Sequence, residues 1–238
     1  NVGEDLRRQQ EYLGASADGL IDGLILVNAI DHEETLAFLE KENVAAVLID
    51  CLANTRIPSV AVDNVRAAYL ATEYAIQKGH RRIAHLAASS TLLIAQQRQQ
   101  GYAQALADYG LSYQKIVISH GEQWNYQAGY EAMQELLRSD PVPTAVFAAS
   151  DEMAIGAYRA LAEAGLSVPA DMSVIGFDDI DVAAFVVPAL TTIRQPYVEI
   201  ASQAVSLLFK RIAGELPEAT PIILPPELIV RQSVAEFP

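Results

Sequence analysis

"VIGFDDIDVAAFVVPALTTIRQP", residues 174–196, decides how the rest of the chain is read. It opens on a continuous apolar run, the pattern of a strand covered on both faces. The run stops at two acids, Asp178 and Asp179. After a loop comes a second short apolar stretch. Pro196 then opens a segment in which Ile200, Ala204, Leu207 and Leu208 share one helical face, with a stop near Gly214. A buried strand that ends in carboxylates sets charge where a strand meets solvent or ligand.

The same unit recurs along the chain. Strand candidates are "GLILV" 23–27, "VAAVLI" 44–49, "SVAV" 59–62, "RIAHLA" 82–87, "KIVIS" 115–119, "TAVFAA" 144–149 and "SVIGF" 173–177. Most are continuous apolar runs, and helix-length periodic segments separate them, as right-handed crossovers require. Gly79, Gly110 and Gly165 each end a helical run before a strand. Ser150 reads as a helix N-cap, with Asp151 and Glu152 opposing the dipole behind it. The expectation is an α/β protein with doubly wound parallel sheets. Ligands of such sheets bind beyond the carboxyl ends of the strands. Asp50, Ser150 and Asp178 all fall at such ends.

The 238 residues, 51% hydrophobic and 19% charged, suffice for one large or two modest domains. The longest apolar runs are strand-sized, so no transmembrane helix and no membrane partner are expected. A net charge of −14 repels phosphate and argues against direct nucleic-acid binding by these residues. The lone Cys51 has no internal partner for a disulfide, and no secretory leader is read at the start, which together fit a cytoplasmic protein.

Catalytic motifs are missing: no G-x-G-x-x-G, no P-loop and no G-x-S-x-G. His32, His80, His85 and His120 lie at no metal-ligand spacing with one another or with Cys51. His80 reads as a turn residue before a strand. No metal, no cofactor and no enzymatic activity are expected. The polar strand-end residues have two readings each. Asp151 and its neighbours either cap helices or face a ligand, and Asp178 favours the ligand because no helix follows it directly. Arg98 in "QQRQQGY", within a 91–109 helix, is either a solvated helical arginine or a fork of donors aimed at hydroxyls or a carboxylate. Trp124, the single tryptophan, sits in the polar loop "HGEQWNYQAG" and reads as a stacking platform rather than a core residue.

Together, "IPSVAVDN", "KGHRRIAHL", "RQQGYAQAL", "PTAVFAASDEMAIGAYRALAEAGLSVPADMSVIGFDD" and above all "PALTTIRQP" resemble the effector-binding core of the lactose/galactose-repressor family, in the family's order, across about residues 20–232. The resemblance implies the periplasmic-binding-protein fold. In it, two doubly wound lobes are joined by three crossings, here near 59–63, 193–196 and 217–222, with a small ligand in the cleft. It divides the chain into an amino-terminal lobe, 1–62 plus 195–219, and a carboxy-terminal lobe, 63–194 plus 220–238. It also matches Arg98 to the family's effector-binding arginine, Asp178 to its hydroxyl-accepting aspartate, Ser150 to a polar cleft position, Asp50 to a cleft acid of sugar-responsive members, and Trp124 to an aromatic that stacks on the effector ring.

Two departures stand out. Ala88-Ser89 replaces the family's usual Gly-Pro after the 82–87 strand. Counterparts of the helix-turn-helix and of the first strand, first helix and second strand of the amino-terminal lobe are missing, so the chain reads as a fragment with an incomplete first lobe. "PTAVF…SDEMAIGA", "VIGFDDID…F" and "ELIVRQS" look most like the cytidine-repressor subgroup. The function so implied is sensing a nucleoside or sugar, with operator DNA bound only through the missing head. A homodimer is expected, with helices 63–78 and 32–42 as candidate contacts. The alternative is a periplasmic sugar-binding protein of a transporter, against which "ALTTIRQP" speaks. An enzyme on the same fold is the third reading.

Overall fold

The computed structural model describes residues 13–15, 20–27, 33–51, 56–88, 93–112, 115–118, 124–215 and 221–238. His32, His120, Ser119, the loop after Ala88 and residues 217–220 of the expected third crossing lie outside them. The chain forms two compact units, the first Asn1–Val62 with Pro196–Leu224, the second Asp63–Gln195 with Pro225–Pro238. It passes between them three times.

In the first unit, β1 (Leu24–Val27), β2 (Ala46–Ile49), β3 (Ser59–Val62) and β9 (Ile222–Leu224) form a parallel sheet in the order β1-β2-β3-β9. Alternation along β2 explains its two covered faces. Ala46 and Leu48 pack with Leu39 of α1 (Glu33–Lys41), Val44 and Ile57. Val47 and Ile49 turn the other way, against Ile200, Ala204, Leu207 and Leu208 of α6 (Tyr197–Ile212). The apolar face read in the sequence after Pro196 is therefore the face α6 buries. Because Ile222–Leu224 pair with β3, the chain leaves this unit at Pro225, a few residues beyond the 217–222 expected.

The second unit holds β4 (Ile83–Ala87), β5 (Lys115–Ile118), β6 (Ala145–Ala148), β7 (Ser173–Asp178), β8 (Thr191–Arg194) and β10 (Glu227–Ile229) in the order β10-β8-β7-β6-β4-β5. All neighbours are parallel except β10, which runs antiparallel to β8. Helices α2 (Asn64–Gln77) and α3 (Leu93–Asp108) cover one face, over Ile83, Phe147, Ile175 and Phe177. Helices α4 (Tyr126–Leu136) and α5 (Asp151–Glu163) cover the other, over Leu86, Val146, Ala148 and Val174. The fully buried Phe147, Phe177 and Leu86 each contribute about 1.5–3 kcal/mol of transfer free energy.

Both helix pairs approach at backbone contact. A Cβ at Gly101 would overlap the Val65 carbonyl, and one at Gly156 the Tyr126 carbonyl. The strand order reverses between β4 and β6, the two strands that start the two windings. That is the switch point at which an open α/β sheet presents a ligand crevice. Among the described residues no helix is long and apolar enough to cross a membrane.

Candidate functional site

In the second unit Ser150 follows β6 and Asp178 ends β7, while Arg98 comes from α3 and Trp124 from the segment before α4. Arg98 projects from α3 and is 3% exposed, which excludes the solvated reading. Its Nε donates to Asn64 Oδ1 at 2.9 Å, and its Nη1 donates to the Ala149 carbonyl just beyond β6. The guanidinium carbon lies 3.5 Å from the centre of the Phe177 ring and 5.0 Å from that of Trp124. Three elements thus fix one cation: the start of α2, the end of β6 and the end of β7. Gly101 is what lets α3 come close enough to α2 for Asn64 to reach it.

Ser150 caps α5, accepting from the Met153 amide at 3.1 Å, and donates its one proton to the Trp124 carbonyl at 2.9 Å. The hydroxyl therefore anchors Trp124 beside Arg98. Trp124 is half-buried, with part of its surface against the α4–α5 core.

Asp178 and Asp179 divide the work at the end of β7. Both have positive φ, 124° and 58°, a conformation that costs a non-glycine residue about 1–3 kcal/mol. Asp179 is clamped by two arginines, accepting from Arg194 Nε at 2.7 Å and Arg231 Nη2 at 2.6 Å. Asp178 accepts from Gln195 Nε2 at 2.8 Å and is only partly buried.

Asp151 does not cap its helix. It is fully buried, accepting at Oδ1 from the Thr192 hydroxyl and at Oδ2 from the Ile180 amide at 2.9 Å. Burial pushes its carboxyl up to about 6, and Asp178 and Asp179 add to the rise while the two hydrogen bonds oppose it. A folded-state value above the unfolded one means the native state binds the proton more tightly. The cost of holding this charge is therefore felt above about pH 6 and is relieved as the pH falls through that value.

Asp50 belongs to the first unit. It follows β2 directly with φ 55°, and its Oδ1 accepts from the Val62 amide at the end of β3 at 3.4 Å. His85 is a core residue of β4, stacked on Phe147 at 4.7 Å with Nδ1 on the Phe147 carbonyl. Burial chiefly, and Arg98 secondarily, lower it to about 4, so it is neutral at pH 7. His80 sits in the turn before β4, bridging Thr144 Oγ1 and the Ala235 carbonyl. Asn64, Gln195 and the buried role of Asp151 were not singled out from the sequence. A polar residue next to a proline-bounded crossing was the only available signal, and it marks Gln195 alone.

Comparison with known proteins places this geometry. Residues 72–234 match the periplasmic binding protein-like domain family. The HTH-type transcriptional repressor CytR of Escherichia coli K12 is 36% identical over 221 residues, which are 92% of this chain and 64% of the repressor. The chain therefore spans less than two thirds of that relative's length. The HTH-type transcriptional repressor PurR of Photorhabdus laumondii is 34% identical over 241 residues, 100% of this chain and 70% of the repressor. The structure of a LacI family transcriptional regulator from Enterococcus faecium with bound ribose superposes with a TM-score of 0.86 at 31% identity, covering 96% of this chain and 85% of that one. All three are named as regulators of transcription. With its two doubly wound units and three crossings, the chain belongs to the LacI family of transcriptional repressors, as the family's periplasmic-binding-protein-like, effector-binding domain.

Proposed function

We propose that the chain senses a neutral, ring-shaped polyol, a nucleoside or a pentose or hexose, in the cytoplasm, and that Arg98, Trp124 and Asp178 hold it, with Ser150 contributing. The observation that carries this is the convergence of a donor fork, an aromatic face and an all-acceptor carboxylate at the strand ends around the β4/β6 switch point. A sugar ring offers the complements: hydroxyls that donate, oxygens that accept, and an apolar face. The ribose held by the similar Enterococcus faecium regulator supports the class, since ribose is itself a pentose and the sugar of ribonucleosides. The resemblance of "VIGFDDID…F" and "ELIVRQS" to the cytidine-repressor subgroup tilts the choice toward a nucleoside. Calorimetric titration with ribose, other pentoses, hexoses and nucleosides, beside ribose 5-phosphate and nucleoside monophosphates, tests it. Saturable binding of at least one neutral compound is expected. Binding restricted to the phosphorylated compounds would overturn it, because the Asp178 carboxylate that is proposed to accept from the ligand would repel their phosphate.

The output is operator binding by a repressor dimer. With a net charge of −14 these residues repel duplex phosphate, so operator contact belongs to another part of the repressor. An effector acts on it only by binding one arrangement of the protein more tightly than another.

The dimer contact fits the 182–187 loop better than the helix at 63–78. The apolar positions of α2 (Ala67, Ala68, Ala71, Ala75 and Ile76) are already buried within its own unit. Phe185 and Val187 are 82% and 92% exposed, beside Val182. Sedimentation at micromolar concentration should show a dimer, with Phe185→Asp/Val187→Asp shifting it to monomer. A wild-type monomer, or a double variant as dimeric as wild type, would count against this contact.

A further inference from the structure

Asp151 has the geometry of a strut. It is the first residue of α5, yet its carboxylate turns inward and lies on the backbone of β7. A Cβ at Gly176 would overlap Asp151 Oδ1, so only glycine leaves room for it there. Gly176 is paired in register with Thr192, whose hydroxyl donates to the same Oδ1. The other oxygen, Oδ2, accepts from the amide of Ile180, the residue immediately after the Asp178–Asp179 turn. One side chain thus joins three segments: the start of α5 beside Ser150, the hydroxyl of β8, and the backbone that leaves the strained turn.

The strain makes such a strut necessary. Two successive non-glycine residues at positive φ persist only where surrounding bonds over-determine them. Asp179 is held from one side by Arg194 and Arg231. Asp151 holds the turn from the other side through Ile180. It is also fully buried, with the carboxylates of Asp178 at the end of β7 and of Asp179 just beyond it adding to burial in opposing its ionisation. A group placed against its own solvation and beside like charges is better explained by a positioning task than by stability.

We propose that Asp151 is a positioning residue of the effector site: by accepting from the Ile180 amide and the Thr192 hydroxyl it locks the Asp178–Asp179 turn and so aims Asp178 at the effector. This rests on the reading that Asp178 contacts the effector, but the locking of the turn stands apart from it.

The role depends on hydrogen bonds to fixed partners, so an amide can replace the carboxylate. Asparagine still accepts from Ile180 with its oxygen and donates to Thr192 Oγ1 with its nitrogen. Alanine does neither. Backbone amide exchange in the free protein reads the turn without any ligand. In Asp151→Ala the Ile180 amide should exchange at least about tenfold faster than in wild type, while β4 and β6 amides keep their protection. Asp151→Asn should retain the slow exchange. For the neutral ligand identified by titration, Asp151→Ala should weaken affinity about tenfold or more and Asp151→Asn by less than about threefold. Thr192→Val keeps volume and removes one of the two donors. It serves if Asp151→Ala does not fold, with an intermediate gain in Ile180 exchange expected.

Unchanged Ile180 exchange in Asp151→Ala, or in Thr192→Val if the alanine variant does not fold, overturns the proposal. So does wild-type affinity in Asp151→Ala when Asp178→Asn has lost its own. If instead Asp178→Asn binds as wild type does, the reading of the effector site fails, and Ile180 exchange alone then decides whether Asp151 locks the turn.

Discussion

Arg98→Ala is expected to abolish effector binding and to destabilise the fold by about 3–5 kcal/mol, a fall in melting temperature of roughly 6–20 °C. The guanidinium is buried and charged, and its partners are fixed: Asn64 Oδ1, the Ala149 carbonyl and the face of Phe177 at 3.5 Å. Hydrogen bonds from a charged donor are worth about 1.5–3 kcal/mol each and a desolvated cation–π contact up to about 2, but the cost of burying the charge takes much of that back. The net figure is therefore well below the sum. Arg98→Lys separates the two roles. One ammonium keeps the charge but lacks the planar fork that reaches Asn64 and Ala149 together. It should melt between wild type and alanine and still bind effector poorly. Thermal melts and titration of the three proteins check this, and an alanine variant that melts and binds like wild type would contradict it.

The architecture was legible where strands are buried on both faces. "VAAVLI", "TAVFAA" and "SVIGF", and "RIAHLA" apart from Arg82 and His85, are largely apolar because β2, β4, β6 and β7 lie inside sheets with helices on both sides. β8, β9 and β10 were not legible as strands. "TTIR", "IIL" and "ELI" are only three or four residues long and lie near prolines, so their pairing is decided by neighbours. The antiparallel β10 edge in particular follows from where the chain re-enters the second unit at Pro225.

The site was legible in part for the same reason. Asp50, Ser150 and Asp178 stand out in the sequence because each directly follows or ends a buried apolar run. Arg98 was ambiguous because a helical arginine among glutamines looks solvated; its burial follows from the contact between α2 and α3 at Gly101, which local sequence does not encode. Asp151 was ambiguous for a different reason. An acid after a serine at a helix start satisfies the capping pattern whichever way it points, and only the β7–β8 register, Gly176 opposite Thr192, supplies the partner that turns it inward.

Asp178→Asn separates ligand contact from folding. Asparagine keeps the shape, and its oxygen can still accept from Gln195 Nε2, so the melting temperature should barely change. Toward the effector, a group that only accepts becomes one that also donates, and an effector hydroxyl that donated to the carboxylate meets an N–H instead. The loss is that of a hydrogen bond to a charged group, about 1.5–3 kcal/mol, or roughly ten- to a hundredfold in affinity. The decisive measurement is a calorimetric titration of wild type and Asp178→Asn, side by side, with the neutral sugar or nucleoside that binds best. An affinity ten- to a hundredfold weaker at unchanged melting temperature is the predicted result. Equal affinities in the two proteins would contradict the placement of the effector at the end of β7.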